Sequence, residues 1–218
     1  MLLLQLRSDP EAARAERRAY RAATGLGSTT LRPHDLAHHR LREAGAGGSA
    51  GVLVGAGGGY EAGIPEREKT LEQRRIEDEL RALADWALAG GAPVLFSCFS
   101  AGVLTQHLGG ALERRDDAEE LVDIDLTDGG RDDVLFGTLP ARFAARAGHA
   151  EHVARAPLDA LPLARSDGRP VQAYRVGGDV YAARFHPETV RPGGAGDPEP
   201  AGGVALLRAF ARRALELP

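Results

Sequence analysis

Residues 93–99 read Pro-Val-Leu-Phe-Ser-Cys-Phe, an apolar run that stops at the only cysteine of the chain, Cys98. A thiol placed where a buried strand gives way to a helix can act as a nucleophile. The elbow lifts it to the carboxyl end of the strand, and the helix N-terminus favours the thiolate. A buried structural cysteine is the competing reading, because free cysteine is among the most buried residue types. A thiolate needs a base, and His186 is the best placed of the seven histidines, since it ends the strand 180–185. Glu188 stands two positions on, past Pro187. In an extended chain, positions two apart share a side, so its carboxylate can orient the imidazole. Taken alone, His-Pro-Glu suits a surface turn equally well.

The other histidines offer less. His34, His38 and His39 lie in a polar stretch with no strand end nearby, and His107 falls inside a helix. His149 and His152 flank Glu151 in a loop and could line a pocket. The cluster Gly55-Ala56-Gly57-Gly58-Gly59 can present backbone N–H groups to an oxyanion, though a plain flexible turn explains it as well. It is not a dinucleotide fingerprint, because Tyr60 breaks the glycine spacing and the next helix is distant. One cysteine and scattered histidines give no metal-ligand spacing, so neither metal nor cofactor is expected.

These residues need a frame. Met1-Leu2-Leu3-Leu4-Gln5-Leu6 reads as a first strand. Ser8, Asp9 and Pro10 then start a helix over 11–23, which Gly25 ends. A strand at 30–32, a short helix or loop at 34–43 and a loop at 45–49 follow. Residues 51–54 form a buried strand and 61–68 a connecting loop. Ile76, Leu80, Leu83, Ala84 and Ala87 recur at helical spacing up to Gly90-Gly91. Residues 93–97 are a strand and 99–108 a helix. Alternating strand and helix implies an α/β fold with a parallel sheet. Beyond it, 121–126, 161–165, 171–176 and 180–185 read as short strands, with Gly177-Gly178-Asp179 as a hairpin turn. Residues 193–203 read as a loop, and Val204, Leu207, Phe210, Ala211 and Ala214 face one side of a closing helix.

At 218 residues and 43% hydrophobic, the chain can build one domain, 1–218, with a substantial core. The net charge of −4 gives no basic face for nucleic acid. No apolar run approaches the ~20 residues that cross a bilayer. A lone cysteine suggests the reducing cytoplasm.

Taken together and in order, the segments resemble the class I glutamine amidotransferases. Residues 93–99, with Leu104-Thr105-Gln106-His107-Leu108-Gly109-Gly110, are similar to the family's nucleophile region, and Phe185-His186-Pro187-Glu188 to its closing motif. Residues 126–140, Leu-Thr-Asp-Gly-Gly-Arg-Asp-Asp-Val-Leu-Phe-Gly-Thr-Leu-Pro, resemble stand-alone members related to the amidotransferase domain of GMP synthase. Residues 148–153 and 170–176 fit in order.

The resemblance implies a flavodoxin-like α/β fold: an open, mostly parallel sheet, helices on both faces and an added antiparallel hairpin region. It implies a Cys98–His186–Glu188 triad that cleaves the side-chain amide of glutamine through a cysteinyl thioester. Ala56, Gly57 and Phe99 would serve the oxyanion, and Gly102, His149, Ala150 and Glu151 the substrate. A synthetase subunit would accept the ammonia. Two positions depart from the family pattern Gly-x-Cys-x-Gly-x-Gln. Phe96 stands where a small residue is usual, and Gly102 stands in place of the glutamine that helps hold substrate. Three readings follow: a glutaminase of amidotransferase type, a hydrolase of another γ-glutamyl amide, and a binding or regulatory homologue without catalysis.

Overall fold

The computed structural model describes residues 1–114, 121–148, 150–189 and 201–216. The chain opens with β1 (Leu2–Gln5) and α1 (Pro10–Thr24). Asp9 caps α1 by accepting the Glu11 N–H at 3.2 Å, and Gly25 ends it at φ 73°, where a Cβ would be strained. Then come β2 (Arg32–Asp35), β3 (Val52–Val54), α2 (Leu71–Leu88), β4 (Val94–Ser97) and α3 (Phe99–His107). Helix α2 begins five residues before Ile76, the first residue of its apolar stripe, because the Thr70 hydroxyl accepts the Gln73 N–H at 3.1 Å.

Strands β2, β1, β3, β4 and β11 (Val180–Ala183) lie side by side, every pair parallel. Successive side chains alternate across this sheet. Leu3, Leu53 and Leu95 join α1 and the closing helix α5 (Ala201–Glu216) in one core. Leu2, Leu4, Val52, Val54, Val94 and Phe96 pack against α2 and α3 in the other. Helices therefore cover both faces, as the strand–helix alternation implies. Phe96 belongs wholly to the α2–α3 side.

The antiparallel region is larger than a hairpin. Strands β5 (Ala111–Arg114), β6 (Leu121–Leu126), β7 (Arg142–Arg146), β8 (Glu151–Arg155), β9 (Ala160–Ser166) and β10 (Arg169–Val176) build an arm. The sheet continues from β11 through β10, β9 and β6 to β7, with β8 on β10 and β5 on β8. Three readings are corrected here. His34 lies in β2, since the second strand falls at 32–35 rather than 30–32. His152 lies in β8 rather than a loop. The last parallel strand stops at Ala183, and His186 makes an isolated bridge with Arg146 instead of ending it. Of the loop read at 193–203, residues 193–200 lie outside the described residues, and 201–203 open α5.

The segment 126–140 serves the arm. It forms α4 (Asp128–Asp132), capped by Thr127, whose hydroxyl accepts the Gly130 N–H at 3.0 Å. The Asp133 carboxylate accepts the N–H groups of Leu135 and Phe136 at 2.8 and 2.9 Å and the Arg175 Nε–H at 2.8 Å. No helix among the described residues is long and apolar enough to cross a membrane.

Candidate active site

The registers of β4 and β11 set the site. Ser97 lies opposite Ala183, and Cys98 extends that ladder by donating its N–H to the Ala183 carbonyl at 2.8 Å. The chain then turns at Cys98 with φ 53° and ψ −110°. Among the described residues it is the only non-glycine at positive φ. Such a backbone costs on the order of 1–3 kcal/mol and persists only where its surroundings over-determine it. One restraint is Ser100, whose hydroxyl accepts the Ser97 N–H and donates to the Ser97 carbonyl, both at 2.9 Å. Phe96 is fully buried in the α2–α3 core, so its ring is accommodated beside the elbow.

Cys98, Phe99, His186, Gly57, Ala150, Glu151 and Arg184 share the lining of a cavity of about 350 Å³. Glu188 stands behind the imidazole and is buried, its Oε1 3.0 Å from His186 Nδ1. Burial alone would raise the Cys98 thiol. Hydrogen bonding and charge from His186, with the Arg184 cation, outweigh it and hold the thiol below its usual range. Burial would likewise lower His186, yet its bonds to Cys98 and Glu188 push it up to about 10. Both shifts favour the thiolate–imidazolium pair over the neutral pair.

The glycine turn has a defined geometry. The Phe99 N–H donates to the Ala56 carbonyl at 3.2 Å. The Ala56 N–H donates to Glu16 Oε1 at 3.3 Å. Glu16, buried on α1, also accepts from Arg7 Nε at 3.1 Å and Gln5 Nε2 at 3.3 Å. Burial raises its carboxyl, with Arg7 acting in the opposite sense. Of the expected oxyanion donors, the N–H groups of Phe99 and Ala56 thus already have partners. Gly57, at φ 66°, lines the cavity, and a Cβ there would come within 2.9 Å of the Phe99 ring.

The expected substrate residues divide. Ala150 and Glu151 line the cavity. The Glu151 carboxylate accepts the N–H groups of Ala62 and Gly63 at 3.0 and 2.6 Å. His149 lies outside the described residues. Gly102 is buried and is not among the lining residues, because the Arg184 guanidinium occupies the space on that side; a Cβ on Gly102 would sit 2.7 Å from Arg184 Nη1. Arg7, Tyr60, Glu61 and Arg184 line the cavity without having been singled out from the sequence. Arg184 left a signal there, as a charge directly after a fully apolar strand where unpaired charge is costly. Arg7, Tyr60 and Glu61 left none. No cluster of three or more His, Cys, Asp or Glu among the described residues could hold a metal ion.

No family model matches the chain. It is 35% identical over 99 residues to the glutamine-hydrolysing GMP synthase of Aeropyrum pernix, covering 45% of this chain and 19% of that protein. It is 29% identical over 143 residues to one subunit of the glutamine-hydrolysing GMP synthase of Methanopyrus kandleri, covering 64% of this chain and 67% of its relative. The chain spans between 19% and 50% of the first three curated relatives. A Thermoplasma acidophilum structure, provisionally assigned as one subunit of a GMP synthase, superposes with TM-score 0.72 at 17% identity, covering 99% of this chain and 94% of that one.

Proposed function

From the premise that this chain is a relative of the class I glutamine amidotransferases, we propose that it hydrolyses the side-chain amide of glutamine with Cys98 as nucleophile, His186 as base and acid, and Glu188 as the group orienting His186. The observation that carries this reading is the pairing of a strained, elbow-borne thiol with a carboxylate-backed imidazole on one cavity. The Cys98 thiolate attacks the amide carbon. The carbonyl oxygen becomes an oxyanion, and His186 hands a proton to the departing nitrogen. Ammonia leaves and a glutamyl thioester remains. Water, deprotonated by His186, then releases glutamate and restores the thiol. Oxyanion binding by Phe99 requires its N–H to exchange the Ala56 carbonyl for the substrate oxygen, and Gly57 supplies a further backbone donor.

A synthetase subunit in the cytoplasm would take the ammonia, by analogy with relatives that are GMP synthase subunits. A second reading, hydrolysis of another γ-glutamyl amide, is favoured by one feature: Arg184 fills the space beside Gly102, where the family pattern has a substrate-holding glutamine. The test is glutamate release from glutamine and from a panel of γ-glutamyl amides, with Cys98→Ala as control. Turnover of glutamine that Cys98→Ala abolishes supports the first reading, and turnover of another amide alone selects the second. No Cys98-dependent turnover of any of them rejects both.

A further inference from the structure

Arg184 is the largest of the fully buried side chains, at 1% exposure. Its place follows from the β4–β11 register: Ala183 pairs with Ser97, so Arg184 stands one step beyond, beside Cys98. The guanidinium bridges two carbonyls. Nη1 donates to the Cys98 carbonyl, and Nη2 donates to the Glu151 carbonyl at 2.7 Å. The Cys98 carbonyl also accepts the Gly102 N–H at 3.1 Å. A cation therefore grips the strained elbow and ties it to the first residue of β8. It lies on the helix side that only a glycine at 102 leaves open, since a Cβ there would be 2.7 Å from Nη1.

A buried cation must earn its place by a specific partner. Two neutral carbonyls do not neutralise it, and its Nε has no hydrogen-bond partner among the described residues. The charged or ionisable neighbours it feels are Cys98, Glu151 and Tyr174. The Glu151 carboxylate, which also accepts the Ala62 and Gly63 amides, shares the cation with the sulfur of Cys98, and the sulfur is the stronger of the two charged neighbours.

We propose that Arg184 is a positioning residue for the Cys98 nucleophile, fixing the elbow through its carbonyl and setting a permanent positive charge beside the sulfur, and that Gly102 is the vacancy this guanidinium requires. The inference rests on Cys98 being the nucleophile assigned above, but it needs no identified substrate. Gly102 and Arg184 act as one device, so the family's substrate-holding glutamine cannot be restored at 102 while the arginine stays.

The test is the pH dependence of Cys98 alkylation by iodoacetamide in the intact chain, followed by mass spectrometry. The groups facing the sulfur are His186 and Arg184, with Glu188 behind. Arg7, Glu61, Glu151 and Tyr60 lie around the cavity. Apart from Arg184 itself, these groups stay in place in both Arg184→Gln and Gly102→Ala. Arg184→Gln is expected to raise the alkylation midpoint by on the order of one pH unit, with Arg184→Lys in between. Gly102→Ala, which displaces the guanidinium, should raise it too. The double variant should match Arg184→Gln alone rather than the sum of the two. A folded Arg184→Gln with the parental midpoint overturns the proposal, as does a double-variant shift equal to the sum. Should Arg184→Gln not fold, Gly102→Ala and Arg184→Lys decide the matter by the same midpoint. A parental chain that alkylates with these shifts yet releases no glutamate removes the proposed hydrolysis and leaves the Arg184 role standing.

Discussion

The carbonyl of Ala56 accepts the backbone N–H of Phe99 at 3.2 Å, so a peptide of the glycine turn occupies the donor that the proposed hydrolysis assigns to the oxyanion. Gly57 follows at φ 66° with the Phe99 ring against it. Gly57→Ala places a Cβ on a left-handed backbone, which costs about 1–2 kcal/mol, and presses on that ring. The N–H of residue 57 is kept but the turn that aims it shifts, so glutamate release is expected to fall, by up to roughly 10²-fold, the scale of losing one oxyanion donor. Thermal unfolding should register only the smaller backbone penalty. A variant with parental turnover would remove Gly57 from the oxyanion site.

The Cys98–His186 pair predicts thiol reactivity at unusually low pH. An unperturbed cysteine titrates near pH ~8.5, whereas His186 holds Cys98 below its usual range. Alkylation of Cys98 should therefore remain fast at neutral pH. In His186→Ala the dominant influence is burial, which raises the thiol, so the alkylation midpoint should move above that of a free cysteine. An unchanged midpoint would mean that the imidazole does not act on the sulfur.

The His186–Glu188 pair makes stability depend on pH. His186 is raised from 6.5 to about 10, in part by Glu188. A base whose folded value is raised contributes stability that is fully present below its unfolded value and is lost as pH rises through the folded one. The stability gap between the parental chain and Glu188→Gln should accordingly be largest near pH 6 and shrink as pH passes about 10. Chemical denaturation at several pH values reads it. A gap that does not vary with pH would place the contribution of Glu188 in packing instead.

Gly130 tests the arm separately. A Cβ there would lie 1.9 Å from the Leu163 carbonyl oxygen, a backbone atom that cannot swing aside. Gly130→Ala is expected to destabilise by about 1–3 kcal/mol, the range for overpacking. The Cys98 alkylation midpoint in the folded protein should not change. A shifted midpoint would show that the packing of α4 on β9 is felt at the elbow.

Much of this architecture was legible from periodicity and punctuation. The apolar stripe from Ile76 to Ala87, the run before Cys98 and the turn at Gly177-Gly178 each set their elements by local rules. The elbow and the residues after Phe185 could be located because strand ends carry function in an α/β sheet. Strands β5, β7 and β8 were not legible, since sequences such as Ala-Leu-Glu-Arg and Arg-Phe-Ala-Ala-Arg owe their extended form to partners far along the chain. The motif around Gly130 carried the resemblance yet serves packing. The Phe99–Ala56 bond and the Glu16 clamp on the turn were invisible as well, because each depends on which way one peptide faces.

The ladder between β4 and β11 also has a bearing on how tolerant the molecule is of change. Ser97 opposite Ala183 places sulfur and imidazole by hydrogen-bond spacing, as teeth on meshed gears place their shafts. The arm feeds that mesh from one side, since the Arg146 carbonyl of β7 accepts the His186 N–H at 2.8 Å. Lengthening or exchanging β2, at the opposite edge of the sheet, would alter the silhouette of the protein, and hence what it can dock against, without disturbing the thiol–imidazole pair.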